Sequence, residues 1–190
     1  GGIVDPIGMY GERLGLEVNI VSVKENHLKT FIKCITNCDV DVIDVISSSY
    51  AAGLSVLKED EIKVGSLVIE MGASTTSLGV FIDGEMVFTK TIPMGGEDIT
   101  LNIARKLSIS QEEAEKIKVM HASAITGSED AHFLLEIPNF QDKEELDPIQ
   151  ITKANLVSVC KPKIEEIFII LRSALNESGY GDSVGRILVL

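Results

Sequence analysis

Glu70 ends a short apolar run, and the small and hydroxyl residues GASTT, Gly72 to Thr76, follow almost at once. That order has a chemical meaning. Small residues at a tight turn let backbone N–H groups come close to a ligand, because no Cβ stands in the way. Successive N–H groups in such a turn form a concave nest that suits an anion. Gly72, Ala73 and Ser74 supply the small residues, with Ser77 nearby, and Thr75 and Thr76 can add hydroxyl donors. Glu70, just before the turn, can hold a hydrated Mg²⁺ through water. Gly95-Gly96 then open a helix, whose N-terminus is a second place for a negative group. Glu115 and Lys118 lie three apart on one helical face. Such a pair can flank a flat ring, with polar heads reaching ribose hydroxyls. Two anion-friendly elements and one carboxylate suit a nucleotide phosphate chain. Each also has a plainer reading: a small-residue turn is commonly only a turn, and an i,i+3 pair is commonly a solvated ion pair. Neither GxxxxGK[ST] nor GxGxxG occurs, so the common nucleotide folds are not indicated.

The elements that must position these residues follow from periodicity. Residues 66–70, 78–83 and 85–92 form three strands, the last two joined at Asp83-Gly84, a strong two-residue hairpin turn. Glu97 to Leu107 is a helix entered from Gly95-Gly96. Ser110 starts another, with Glu113 completing a capping box. Residues 123–146 are loop-rich and acidic, with a short strand near Phe133 to Ile137. A long helical pattern runs from Thr152 to Ser178, where Pro162 is expected to kink or restart it and Gly179 to stop it. Ile187 to Leu190 returns to strand. Upstream, Gly1 to Gly15 is irregular. Leu16 to Val23 and Val40 to Ile46 look like strands flanking a helix between Lys24 and Cys38, a small α+β unit. Tyr50 to Leu57 is a short helix, and the charged run from Lys58 to Lys63 breaks the pattern.

Composition narrows the function classes. With 190 residues and 45% hydrophobic content the chain can bury a core, so global disorder is excluded. A net charge of −12 argues against nucleic-acid binding, which needs clustered Lys and Arg. No apolar run approaches the ~20 residues that span a bilayer. Cys34, Cys38 and Cys160 read as thiols in a reducing cytoplasm. The histidines are scattered, and the methionines read as packing filler. The chain opens on Gly1-Gly2 without Met and stops at RILVL, inside an apolar pattern, as an excised piece would.

Five segments in order carry a resemblance: DPIGMYGERLG, YAAGLSVLKEDE, VIEMGASTTSLGVFIDGEMVFTKTIPMGGEDIT, ISQEEAEKIK and KPKIEEI. Together they resemble the bacterial cell-division FtsA family, of the actin and DnaK-type chaperone superfamily, over nearly the whole chain. Ser77 is similar to the alphaproteobacterial kind. The resemblance implies an α/β fold, an actin-like, ribonuclease H-like ATPase lobe, with a small α+β inserted subdomain. Residues 1–49 would belong to that SHS2-like insert, used in self-association and in contact with later division proteins, and 50–64 would be a connecting helix. Residues 65–107 plus 186–190 would form the nucleotide-binding subdomain, and 108–185 the upper subdomain. Gly72, Ala73, Ser74, Thr75 and Thr76 would be the second phosphate loop, Gly95 and Gly96 would close on the phosphates, and Glu115 and Lys118 would hold the adenosine. Glu70 would stand near Mg²⁺, where the family usually has Asp. Lys153 and Lys163 fall near the basic positions that contact the C-terminal tail of the tubulin-like FtsZ. The implied protein is an ATP-binding scaffold that self-associates and ties FtsZ filaments to the inner face of the cytoplasmic membrane at the division site. A C-terminal helix beyond residue 190 would make the membrane contact.

Three departures weigh against fast ATP hydrolysis: Glu70 for Asp, Ser77 for a frequent Asp, and Asn102 at a position commonly acidic. The family's first phosphate loop would precede residue 1 and its last adenosine loop would follow residue 190, so this internal piece is expected to bind ATP weakly or not at all. The alternatives are an actin-like pilus-assembly platform, a sugar-kinase-type phosphotransferase, and an interaction module with a vestigial nucleotide loop. The phosphotransferase would need a catalytic Asp poised as base, and none stands beside the 70–77 turn.

Overall fold

The computed structural model describes residues 3, 7–15, 18–141 and 144–190, and side chains outside 138–147. Two compact units emerge, Gly1–Val42 and Ile43–Leu190. The first is built around helix α1, Glu25–Thr36, at the expected place. No strand forms at residues 18–23 or 40–46, contrary to the alternation there. Residues 16 and 17 of the first predicted strand lie outside the described residues. A strand exists only when paired, and two short stretches with one helix give too little sheet to stand alone.

The second unit opens with α2, Ser48–Val56, and α3, Glu59–Val64. The charged run therefore forms a helix of its own instead of a break. Then come β1, Ser66–Met71, β2, Thr76–Ile82, and β3, Glu85–Ile92. Asp83 and Gly84 take φ +54° and +95°, the left-handed pair a two-residue hairpin turn requires. Helix α4, Gly96–Leu107, and α5, Gln111–His121, follow, α5 entered through the Ser110–Glu113 capping box. Strands β4, Leu134–Gln141, and β5, Glu144–Thr152, form a hairpin whose second strand periodicity does not predict. Helix α6 runs unbroken from Lys153 to Ser178. Pro162 lies inside it and does not restart it. Strand β6, Arg186–Val189, closes the chain.

The main sheet has the order β3-β2-β1-β6, with β1/β2 and β2/β3 antiparallel and β1/β6 parallel. Alternation along β1 and β2 sends side chains to two cores. Leu67, Ile69, Leu78 and Val80 pack against Ile167 and Leu171 of α6. Val68 and Phe81 pack with Leu57 and Met86 beneath α2 and α3. A third core gathers Ile103, Ala114, Ile137, Leu156 and Cys160 from α4, α5, the β4–β5 hairpin and the first half of α6. Each fully buried aliphatic side chain stabilises the fold by about 1.5–3 kcal/mol. Helix α6 joins two cores: its first turns belong to the hairpin core and its last turns to the sheet. The β1–β2 turn and the start of α4 are thus carried on rigid elements.

Candidate functional site

The turn after β1 is closed by the Gly72 N–H, which donates to the Thr75 carbonyl at 2.9 Å. The turn is then stitched to the start of α4. Gly96 N–H donates to the Gly72 carbonyl (2.9 Å), and Glu97 N–H to the Ala73 carbonyl (2.7 Å). The Thr76 hydroxyl donates to the Met94 carbonyl at 2.8 Å, and the Ser74 hydroxyl to Glu97 Oε2 at 3.0 Å. Gly95 permits this approach: a Cβ there would stand 2.5 Å from the carbonyl oxygens of both Gly72 and Ala73. Its own N–H bonds Asp98 Oδ2 at 2.9 Å.

This stitching divides the backbone donors into two groups. The N–H groups at Gly95, Gly96 and Glu97 are engaged by Asp98, Gly72 and Ala73. They brace the turn and do not face an anion in this conformation. The exposed N–H groups of Ala73, Ser74 and Thr75 have no hydrogen-bond partner among the described residues. Three consecutive unengaged N–H groups next to the start of α4 are the candidate cradle for an anion. The Glu97 carboxylate bound to Ser74 is a negative charge at its rim.

Glu70 is paired in the sheet with Ser77. Its Oε2 is buried with no hydrogen-bond partner among the described residues. Buried carboxylate oxygens are nearly always satisfied, so this atom fits a water-mediated role toward a cation beside the turn. No trio of His, Cys, Asp or Glu groups that could ligate a metal directly occurs among the described residues. Ser77 does not substitute for an acid: its hydroxyl is 2.8 Å from Thr91 Oγ1.

Glu115 and Lys118 do more than pair on a helix surface. Lys118 Nζ lies 2.8 Å from Glu115 Oε2, 2.8 Å from Thr100 Oγ1 and 2.9 Å from the Gly96 carbonyl. The Thr100 hydroxyl in turn donates to Glu115 Oε2. The Lys118 ammonium and the Thr100 hydroxyl hold the Glu115 carboxyl below its ordinary range. Thr100, 1% exposed, escapes a sequence reading. Its place four residues after Gly96 signals only an i,i+4 back-bond, which it has within reach at 3.1 Å.

Lys153 and Lys163 sit on α6, apart from the turn. Lys153 Nζ pairs with Asp130 Oδ1 at 3.1 Å, beside a cavity of about 330 Å³ that includes Met120, His121 and Phe133. Asp130 also accepts the Gly127 N–H at 2.7 Å. That bond first, and Lys153 second, hold its carboxyl below the usual range. Lys163 pairs with Glu166 at 2.7 Å. Both lysines therefore have an acid within the chain already. Asn102 donates through Nδ2 to the Val159 carbonyl at 2.7 Å, a role that an ionised acid at this position could not fill.

A four-stranded mixed sheet between helices, with a small-residue turn stitched to a glycine-opened helix, defines an actin-like α/β fold. MreB5 of Spiroplasma citri bound to ADP superposes with a TM-score of 0.70 at 16% identity, over 88% of this chain and 54% of that one. The ethanolamine utilization protein EutJ from Carboxydothermus hydrogenoformans gives 0.51 at 19% identity, over 76% of this chain and 41% of that one. Within that fold the chain belongs to the FtsA family of cell division proteins. The family model "Cell division protein FtsA" matches residues 67–180. Cell division protein FtsA of Agrobacterium fabrum is 34% identical over 189 residues, 100% of this chain and 43% of that protein. The Pseudomonas aeruginosa protein is 31% identical over 100% of this chain and 45% of its own length. The Bacillus subtilis protein is 30% identical over 96% and 41%. The chain spans less than half the length of these relatives.

Proposed function

We propose that the protein is an ATP-binding division scaffold that self-associates and ties FtsZ filaments to the cytoplasmic membrane. The observation that carries the nucleotide part is the run of three unengaged N–H groups, Ala73 to Thr75, beside the orphaned carboxylate oxygen of Glu70. The cradle would take the phosphates, Glu70 would hold Mg²⁺ through water, and the Glu115–Lys118 pair would meet the adenosine. The cation supplies charge neutralisation when bound. Turnover is slow at most. Of the acids beside the cradle, Glu97 and Asp98 are tied to Ser74 and Gly95, Glu70 is taken by the cation, and Ser77 offers only a hydroxyl already paired with Thr91. A phosphotransferase would need a free general base there. Family membership favours division over the pilus-platform reading.

On the partner side, the acidic FtsZ tail would meet Lys153 and Lys163, displacing Asp130 and Glu166. Later division proteins and further copies of the chain would meet the first unit. The protein would lie at the inner face of the membrane, attached through a helix outside this chain. No helix among the described residues is long and apolar enough to cross a membrane. The test is co-sedimentation of FtsZ filaments with anionic vesicles by the full-length protein, with and without ATP. ATP-dependent recruitment, lost in Lys153→Ala/Lys163→Ala with unchanged circular dichroism, is the expected result. Recruitment indifferent to both lysines, or none at all, would overturn the partner assignment.

A further inference from the structure

Two cysteines of the first unit sit one helical turn apart at the end of α1. Cys34 lies in the last turn of the helix, and Cys38 follows the Asn37 cap, which keeps helical φ and ψ of −69° and −12°. The Asn37 N–H donates to the Lys33 carbonyl at 3.0 Å, and the Cys38 N–H to the Ile35 carbonyl at 2.9 Å. The turn therefore carries on through Cys38 before Asp39, at φ +57°, bends the chain away. The Cys38 thiol folds back over this turn and donates to the Cys34 carbonyl, with 3.5 Å between sulfur and oxygen. Both thiols are exposed, and no residue of α1 is buried.

Magnitudes decide what such a pair can hold. Side chains four apart on a helix have Cβ atoms about 5–6 Å apart. A disulfide needs about 3.5–4.5 Å, so it would distort the turn. An ion between the sulfurs adds two metal–sulfur bonds of about 2.3 Å each, which spans the gap with the backbone unmoved. Zinc takes four ligands, and no group of three His, Cys, Asp or Glu side chains that could hold a metal occurs among the described residues. Two thiolates alone suit a soft ion of low coordination number, and such ligands select Cu(I). The last carbonyls of α1 are the negative end of the helix, which also favours a cation there.

We infer that Cys34 and Cys38 form a two-thiolate site for a soft monovalent cation of the Cu(I) class. Each thiol releases its proton to solvent as its bond to the ion forms, and the two sulfurs then bridge the last turn of α1. The site shares no residue with the nucleotide cradle and does not depend on it.

The test titrates the full-length protein anaerobically with Cu(I) against a colorimetric Cu(I) chelator, and maps thiol alkylation by mass spectrometry. The wild type is expected to bind one ion more per chain than Cys34→Ser or Cys38→Ser, and that ion should protect Cys34 and Cys38 from alkylation together. Either serine variant should leave the remaining cysteine of the pair reactive. Cys38→Ser/Thr30→Cys sets a new thiol one turn before Cys34 and should recover the ion. Cys38→Ser/Thr36→Cys sets it two residues away, on another face, and should not. All four positions are exposed, so loss of the fold is not expected, and circular dichroism checks it. Equal stoichiometry in wild type and the serine variants would overturn the inference. So would protection by zinc as complete as that by Cu(I), or an ion that links two chains, seen as a dimer by native mass spectrometry.

Discussion

Asn102 offers the sharpest test of how the subdomains are joined. Pro162 has no N–H, so the Ser158 carbonyl has no i+4 donor in α6. One residue along, the Val159 carbonyl receives the Asn102 amide at 2.7 Å. This side-chain bond from α4 supports α6 next to its proline. Asn102→Asp keeps the size and removes the donor, setting a carboxylate against a carbonyl. A neutral hydrogen bond contributes about 1 kcal/mol net, and a half-buried carboxylate left without a donor costs about 1–3 kcal/mol. Like-charge contact of oxygens adds to this, so the loss at neutral pH should be about 2–3 kcal/mol. Such a carboxyl would titrate above its ordinary range. Once protonated it regains an O–H donor. Its unfolded-state value is the ordinary one, so its penalty is full at neutral pH and shrinks as pH falls through the raised value. Urea unfolding at neutral pH and near about pH 5 should therefore show a deficit that narrows on acidification. Pro162→Ala should reduce the cost of Asn102→Ala in a double-mutant cycle. Equal midpoints for wild type and Asn102→Asp at neutral pH would refute the reasoning.

Gly95→Ala places a Cβ 2.5 Å from two carbonyl oxygens, an overlap expected to cost about 1–3 kcal/mol. It should part the turn from α4, which ATP calorimetry on the full-length protein reads as at least about tenfold weaker binding. Of the cysteines, Cys34 and Cys38 are exposed and Cys160 is buried, its thiol pushed up to about 11 by desolvation. An aromatic disulfide reagent at neutral pH should thus modify the first two promptly and the third only after denaturation. Asp130 is held below its usual value by the Gly127 N–H and by Lys153. Its contribution is present above the ordinary carboxylate range and is lost as pH falls through the depressed value. Acid unfolding of Asp130→Asn should accordingly lack that low-pH component.

What the sequence disclosed and what it hid follow different physics. The β1–β2–β3 meander was legible because alternation and the Asp83-Gly84 turn are local signals, and the Ser110–Glu113 cap likewise. Strand β5 was hidden because it opens on acids and contains Pro148, which demotes a strand pattern. The β4–β5 ladder accommodates this with a register shift between Ile137 and Asn139. Helix α3 was hidden because its charges mask Ile62, which packs under the sheet. Its last turn is fixed by tertiary bonds, the Ile62 and Lys63 carbonyls accepting from Gly84 and Asp83. In the site, composition named Gly72 to Thr76, Gly95, Gly96, Glu115 and Lys118. It could not say which of their donors face outward, because that depends on contacts between residues some twenty positions apart.

Those contacts determine what a phosphate chain would meet. A glycine-opened helix and a small-residue turn each suggest an anion site when taken separately, and two such sites would seem to add. Here they face each other, and the carbonyls of one take the N–H groups of the other at Gly96 and Glu97. Donors are lost at the helix end, but the turn is held with the Ala73, Ser74 and Thr75 N–H groups unengaged. Preorganisation favours this exchange: a rigid cradle of fewer donors loses less entropy on binding than a loose one of more. It also explains why Gly95 must lack a side chain although its φ of −163° is ordinary extended backbone. The glycine serves close approach, and the conformation itself would admit any residue.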